Sequence, residues 1–361
     1  MLPIPVCCRC VHLLVIAVVE HRCDPVDVGA CRDPVAAVLA AHHEGRRLLL
    51  RTSGTSSSAR VVVRSTDSWF DSFELVTALF DLDAGGRVWL PGPLSATMNL
   101  FAAVHAASVG ASLVRASTEA THVHLTAAML RRILAQEPTT LAGLRVVVAG
   151  EALPAGLHDQ AERHAAAVGH YYGAAELSLV AAGPHSDELR AVPGVQVAER
   201  SGQLWVRSPY VCDGYLGEDG CVRDAPPLRR DAAGWTTVGD RGAYVGERVV
   251  VTGRGGDAVT TAGATVPLAE VEPVLRAVAG GQLWVVGLPH AYLGQVLTAV
   301  LSDPADHEVA RAHARRVLPA THRPRRWYHL DGPVPTTEAG KVDPLALTRL
   351  VSAGTHVRRL A

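Results

Sequence analysis

The stretch between Arg87 and Tyr172 most constrains what this chain can become. Arg87-Val-Trp-Leu90, residues 111–114, His122–Leu125 and residues 144–149 are short apolar segments that read as strands. Residues 99–109, Ala127–Gln136 and residues 157–168 alternate with them and carry the apolar spacing of helices. A strand that is followed by a helix returns parallel to its predecessor, with the helix covering the sheet. Upstream, residues 36–42 suit an Ala-rich helix, Arg47–Arg51 and residues 61–63 suit strands, and residues 67–80 suit a helix capped near Thr66 or Asp67. The expected fold class is therefore α/β, with a large N-terminal domain built on a parallel, helix-covered sheet.

The pattern changes after Gly202. Gln203–Arg207, residues 234–237, 242–245 and 248–252 are short strands separated by Gly and Asp turns, which predicts a small β-barrel subdomain. Gly253-Arg-Gly-Gly-Asp257 is a glycine-rich break. Beyond it, the helices 268–278, Asp306–Val317 and 344–351 and the strands 283–287 and 297–301 predict a small α+β C-terminal domain. The expected division is an atypical N-terminal segment, 1–46, a main domain, 47–253, and the tail domain, 254–361.

Composition excludes several classes. A net charge of −1 and a pI near 7 leave no basic field for nucleic acid. No apolar run is long enough for a membrane span, and a cytoplasmic location is expected. Cys7, Cys8, Cys10, Cys23 and Cys31 crowd the start without the paired spacing of a zinc knuckle. Residues 11–19 resemble a short signal core but lack a clear cleavage site, so secretion is not expected. His122 and His124 share a strand face, but with no third ligand in view they read as ordinary strand residues.

Two loops carry chemistry. Thr52-Ser-Gly-Thr-Ser-Ser-Ser-Ala-Arg60 joins two strands with hydroxyls, a glycine and a terminal arginine. Such a loop can wrap phosphates, but it lacks the Walker pattern and, taken alone, is better read as a polar surface hairpin. Val334-Pro-Thr-Thr-Glu-Ala-Gly-Lys-Val-Asp343 holds Lys341, the only lysine in the chain, in a turn punctuated by Pro335 and Gly340. In a chain that otherwise uses arginine for positive charge, either this position requires a compact ammonium or a surface turn happens to hold the one lysine.

Five motifs, in order, resemble those of the AMP-forming adenylate ligase superfamily, which includes acyl-CoA synthetases, stand-alone adenylation enzymes and luciferases. Thr52–Arg60 is similar to the T-S-G-T-T-G-x-P-K phosphate loop, and Tyr172-Gly-Ala-Ala-Glu176 to Y-G-x-T-E. Asp240, closing Trp235-Thr-Thr-Val-Gly-Asp240, resembles the ribose-binding aspartate. Gly253–Asp257, Gly263 and Glu270-Val-Glu272 resemble the hinge segment, and Pro335–Lys341 resembles P-x-T-x-x-G-K.

The resemblance implies a carboxylic acid-CoA ligase that uses ATP and Mg²⁺. A carboxylate attacks the α-phosphate to give acyl-AMP and pyrophosphate, and a thiol then takes the acyl group. It assigns Lys341 to the two oxyanions of the first step and Glu176 to Mg²⁺. Thr52, Ser53, Gly54, Thr55 and Arg60 are assigned to the outer phosphates. Tyr172 and Gly173, with Gly150 and Glu151 at the edge, are assigned to adenine. Asp240 is assigned to the ribose hydroxyls, Arg254 to ribose or phosphate, and Gly263 to the thiol tunnel. It also implies that the tail domain is mobile and swings about the hinge between the two steps.

The sequence departs from the family pattern in places. Relatives carry a longer region before the phosphate loop, so a truncated form is expected. Ser57, Ala59 and Arg60 replace Gly, Pro and Lys; Ala175 replaces a Thr, and Gly256 replaces a hinge Asp or Lys. Pro93-Leu-Ser-Ala-Thr-Met98 lacks the Asp that pairs with an amino-acid substrate in relatives. The expected substrate is an acid without an α-amino group, fatty or aromatic. Three readings stay open: transfer to CoA, transfer to the phosphopantetheine of an acyl carrier protein, and a catalytically silent nucleotide- or acyl-binding relative.

Overall fold

A computed structural model describes residues 25–52, 60–254, 258–261, 264–338 and 340–361. Its centre is a sheet of 13 strands among the described residues. One half is parallel: Ser112–Val114, Arg87–Trp89, His122–Leu125, Arg145–Ala149 and Ala167–Ala174 lie side by side in that order. Arg145–Ala149 shows why both faces must be covered. Val146 and Val148 pack with Leu130, Leu157 and Ala161 of two helices on one side. Val147 and Ala149 pack with Phe73, Val76, Leu100, Phe101 and Val104 on the other. Successive side chains of a strand point to opposite faces, so an uninterrupted apolar run marks a strand buried on both.

The helices follow the sequence reading with informative differences. Ala127–Gln136 is a helix, with Thr126 capping it through the Met129 N–H. The helix expected over 67–80 is two helices, Asp67–Phe70 and Phe73–Phe80, and Thr66 makes no side-chain cap. The helix expected over 157–168 is Ala155–Glu162, because residues 167 and 168 already belong to the strand Ala167–Ala174. Residues 268–278 form a short 3-10 turn, Leu268–Glu270, and the helix Glu272–Arg276.

The other half of the large sheet is antiparallel. Ser178–Gly183, Arg190–Ala191, Arg248–Arg254, Asp240–Val245 and Gln203–Arg207 continue it from Ala167–Ala174. The strands expected to form a small barrel are thus hydrogen-bonded into the large sheet. A separate five-stranded sheet pairs Arg47–Arg51 and Val61–Ser65 with Val26–Asp27, Gly214–Leu216 and Val222–Arg223.

Residues 258–361 contribute a third sheet around Gly294–Leu301. Leu297, Ala299 and Leu301 pack with Leu275, Ala310 and Ala314, while Val296 and Val300 pack with Leu347 and Val351. A last strand, Val357–Leu360, pairs with Arg326–Leu330. No described helix is long and apolar enough to cross a membrane.

Candidate active site

The candidate residues gather at the C-terminal ends of the parallel strands, where open α/β sheets present crevices. Ala149 is in register with Tyr171, so Gly150, just past the end of its strand, lies beside Tyr172 of the neighbouring strand. Tyr172 donates its hydroxyl to Asp240 Oδ2 at 2.7 Å. Asp240 is buried and begins the strand Asp240–Val245. Its ladder partner is Arg254, of which only the backbone is described.

Gly173 follows a register shift, and a Cβ there would stand 2.2 Å from the Ser178 carbonyl oxygen. That is a clash with backbone, so the tight turn into Glu176 admits only glycine. Glu176 is buried and accepts the Tyr215 hydroxyl on Oε1 at 2.6 Å. Burial and the neighbouring Glu176 raise the Tyr215 pKa, keeping its proton in place as the donor.

Arg64 holds this turn from beneath, and sequence reasoning missed it. It is fully buried, with Nη1 donating to the Ala175 carbonyl at 2.7 Å and Nη2 to the Tyr210 carbonyl at 2.6 Å. Nε donates to Ser68 Oγ at 2.9 Å, and the guanidinium lies 5.3 Å from the Trp69 ring centroid. Burial pushes its pKa down to about 10, which still leaves it charged near neutrality. The strand position of Arg64, between Val63 and Ser65, gave the only sequence signal: an arginine within an otherwise buried run.

The candidate phosphate loop springs from a closed base. Thr52 N–H donates to the Arg60 carbonyl at 2.9 Å, which fixes the ends of the loop on the Arg47–Arg51 and Val61–Ser65 hairpin. The Arg60 guanidinium lies 5.8 Å from the Tyr215 ring centroid, beside the residue that holds Glu176. Ser53, Gly54 and Thr55 lie outside the described residues, as do Ser57, Ala59, Gly256 and Gly263, together with Cys7, Cys8, Cys10 and Cys23.

Lys341 reaches this region from the tail. A Cβ on Gly150, whose φ is +79°, would stand 2.7 Å from Lys341 Cε and 3.2 Å from Nζ. The lysine stem therefore runs over the bare α-carbon of Gly150. The Lys341 turn is held by Thr337 N–H to the Lys341 carbonyl at 2.7 Å and Asp343 N–H to the Pro335 carbonyl at 2.9 Å. Thr126 donates its hydroxyl to the Gly340 carbonyl at 2.6 Å. Glu151 accepts Val342 N–H on one oxygen at 2.8 Å and Ala128 N–H on the other at 2.9 Å. Its carboxylate thus ties the Lys341 loop to the N-terminus of the helix Ala127–Gln136, a role that the sequence reading did not contain.

The set can place a buried carboxylate, a diol acceptor and one ammonium around a nucleotide. For Mg²⁺, the donor set fits: one buried carboxylate, Glu176, joined by substrate phosphates, is a common way to hold this ion.

The AMP-binding enzyme family matches residues 47–216. MatB from Rhodopseudomonas palustris, solved with ATP bound, superposes with a TM-score of 0.69 at 21% identity, covering 84% of this chain and 68% of that one. A MenE variant from E. coli with bound OSB-AMS gives a TM-score of 0.71 at 23% identity, covering 86% and 70%.

Residues 47–216 thus belong to the AMP-binding enzyme family.

The chain is also similar to an uncharacterized acyl-CoA ligase, YhfT, of Bacillus subtilis, 26% identical over 330 residues, 81% of this chain and 66% of its own length. A salicyl-AMP ligase / salicyl-S-ArCP synthetase of Mycobacterium tuberculosis is 31% identical over 188 residues, 47% of this chain and 31% of its own. The chain thus spans about two thirds of the length of YhfT and of MatB. The segments that resemble the superfamily's five motifs lie at the loop base at Thr52 and Arg60, the Tyr172–Glu176 turn, Asp240, the chain around Gly253 and the Lys341 turn.

Proposed function

We propose that this chain activates a carboxylic acid with ATP and passes the acyl group to a thiol. The observation that carries this reading is the position of Lys341, laid over Gly150 beside the strand end that bears Tyr172. An acid oxygen attacks the α-phosphorus, the bond to the bridging oxygen breaks, and pyrophosphate leaves. The ammonium of Lys341 lies between the incoming carboxylate and the α-phosphate and offsets their mutual repulsion in the transition state. Asp240 accepts the ribose hydroxyls, Tyr172 and Gly173 border the adenine, and Thr52 and Arg60, with Ser53, Gly54 and Thr55, take the outer phosphates. Glu176 would hold Mg²⁺, which neutralises phosphate charge. Arg254 and Gly263 belong to the hinge side, and the tail beyond residue 253 swings to exchange Lys341 for the thiol channel. The thiol sulfur then attacks the acyl carbon, and AMP leaves.

CoA is the proposed thiol, and the proposed acid is a fatty or aromatic one without an α-amino group. Support comes from the acyl-CoA ligase relative and from the absence of an Asp in residues 93–98. A second reading, loading of a carrier-protein phosphopantetheine, is favoured by the likeness to the salicyl-S-ArCP synthetase. Acid-dependent ATP–pyrophosphate exchange over a panel of fatty, aromatic and amino acids tests the first step. Exchange with a fatty or aromatic acid supports the reading; no exchange from folded, ATP-binding protein overturns it. Thioester assays with CoA and with a phosphopantetheinylated carrier then separate the two acceptors.

A further inference from the structure

We propose, resting on the role given to Lys341 above, that Met129 is a positioning residue for that lysine. Its side chain is the seat on which the Lys341 turn settles for the first half-reaction. Met129 lies in the first turn of the helix Ala127–Gln136 and is partly buried against the core that Leu130 joins.

The contact is with a glycine. Gly340, next to Lys341, has a φ of +74°. A Cβ there would collide with Met129 Cε and would stand 2.9 Å from Sδ and 3.1 Å from Cγ. Three atoms of one side chain therefore lie against the bare α-carbon, with no room for a methyl group between them. A Cβ on Gly92 would stand 3.4 Å from the same Cε, so the tip of the methionine fills the gap between the Gly92 loop and the lysine turn.

Hydrogen bonds hold the backbone of the turn at this helix end. Thr126 donates its hydroxyl to the Gly340 carbonyl, and Glu151 accepts both Ala128 N–H and Val342 N–H. These bonds set the direction of approach, and Met129 sets the depth to which the turn settles. Lys341 follows directly, with its stem laid over Gly150, so a turn that sinks or rides up carries the ammonium off its point. A misplacement of about 1 Å can cost about 100-fold in rate. Methionine suits a seat that must also release the turn. It is unbranched and polarizable and fits irregular gaps, and each of its dispersion contacts is weak, so the tail can depart for the thiol step.

The test uses the full chain. Lys341 is its only lysine, so the rate at which N-hydroxysuccinimidyl acetate acetylates it, read by peptide mass spectrometry, reports whether the turn is seated. Met129→Ala should raise that rate severalfold. It should lower pyrophosphate exchange about tenfold through kcat while the KM for ATP holds. Thioester formation from synthetic acyl-AMP should keep its rate. Met129→Leu restores most of the bulk and should return acetylation and exchange toward wild type. Gly340→Ala reads the same contact from the turn, outside the helix, and keeps the test sound where Met129→Ala destabilises the helix. Acetylation should rise with Gly340→Ala alone, and rise less when Met129→Ala has made room for the new methyl. The backbone strain of alanine at a φ of +74° is common to both backgrounds and cancels. Wild-type acetylation in Met129→Ala, additive effects in the pair, or equal losses in both half-reactions would overturn the proposal. Wild-type protein without exchange would instead count against the function proposed above, and acetylation would still decide the seat.

Discussion

The Glu151 carboxylate accepts the backbone N–H of Val342, the residue after Lys341, at 2.8 Å. Its other oxygen accepts Ala128 N–H, so one side chain joins the lysine turn to a helix N-terminus. Hydrogen bonds to a charged acceptor contribute about 1.5–3 kcal/mol. Glu151→Gln keeps one acceptor and turns an amide NH₂ toward the second backbone N–H. We expect pyrophosphate exchange to fall about tenfold, while thioester formation from synthetic acyl-AMP holds its rate. Equal losses in both assays would show that Glu151 supports the fold rather than the docked lysine.

Lys341→Arg preserves charge and should still remove at least about 100-fold of the exchange rate, or roughly 2.7 kcal/mol. A planar fork cannot occupy the point a compact ammonium takes between two oxyanions. It would also crowd the Gly150 α-carbon, against which the lysine stem lies. The thiol step from pre-made acyl-AMP should proceed at a near wild-type rate. Exchange that survives the substitution would remove the special role given to this lysine.

Asp240→Ala should raise the KM for ATP by about 1.5–3 kcal/mol of lost binding, since a diol loses its charged acceptor. The same change strips Tyr172 of its acceptor at 2.7 Å. Tyr172→Phe separates the two effects: it keeps the carboxylate and the ring and should change KM much less. Equal KM changes in both variants would place the loss in the Tyr172–Asp240 bond.

Stability should decline on mild acidification. Burial pushes His105 down to about 4, His124 to about 3 and His170 to about 4. The unfolded histidine takes its proton near pH 6.5, before these folded ones can. Stability is therefore full above about pH 6.5 and is lost as pH falls toward 4, at roughly 1.4 kcal/mol per unit for each histidine. Urea midpoints between pH 7.5 and 5 measure this, and a flat profile would contradict the buried, neutral assignment.

Local structure was legible in the sequence where one segment carries it. The Lys341 turn, the Tyr172–Glu176 segment and the base of the Thr52–Arg60 loop are each a few contiguous residues, and their turns need the glycines and polar groups that they show. The Glu151–Val342 tether was not legible, because its partners are 191 residues apart. Arg64 was hidden for another reason: its partners are mostly backbone carbonyls, which have no letter in a sequence. Val357–Leu360 escaped notice because two arginines fill its centre and only the pairing with Arg326–Leu330 makes it a strand. The closeness of His105 to His122 and His124 was also not legible, since His105 comes from a helix and the other two from a strand.

Asp240 and Arg254 face each other across a single rung of the ladder, at the point where the chain leaves the large sheet. In the proposed reaction, a rotation of the tail at that rung would have its fulcrum next to the nucleotide's sugar. Displacement grows with distance from a fulcrum, so the sugar end would stay almost still while the Lys341 turn travelled far. The protein could then exchange one set of reactive groups for another without letting go of the nucleotide it had already captured.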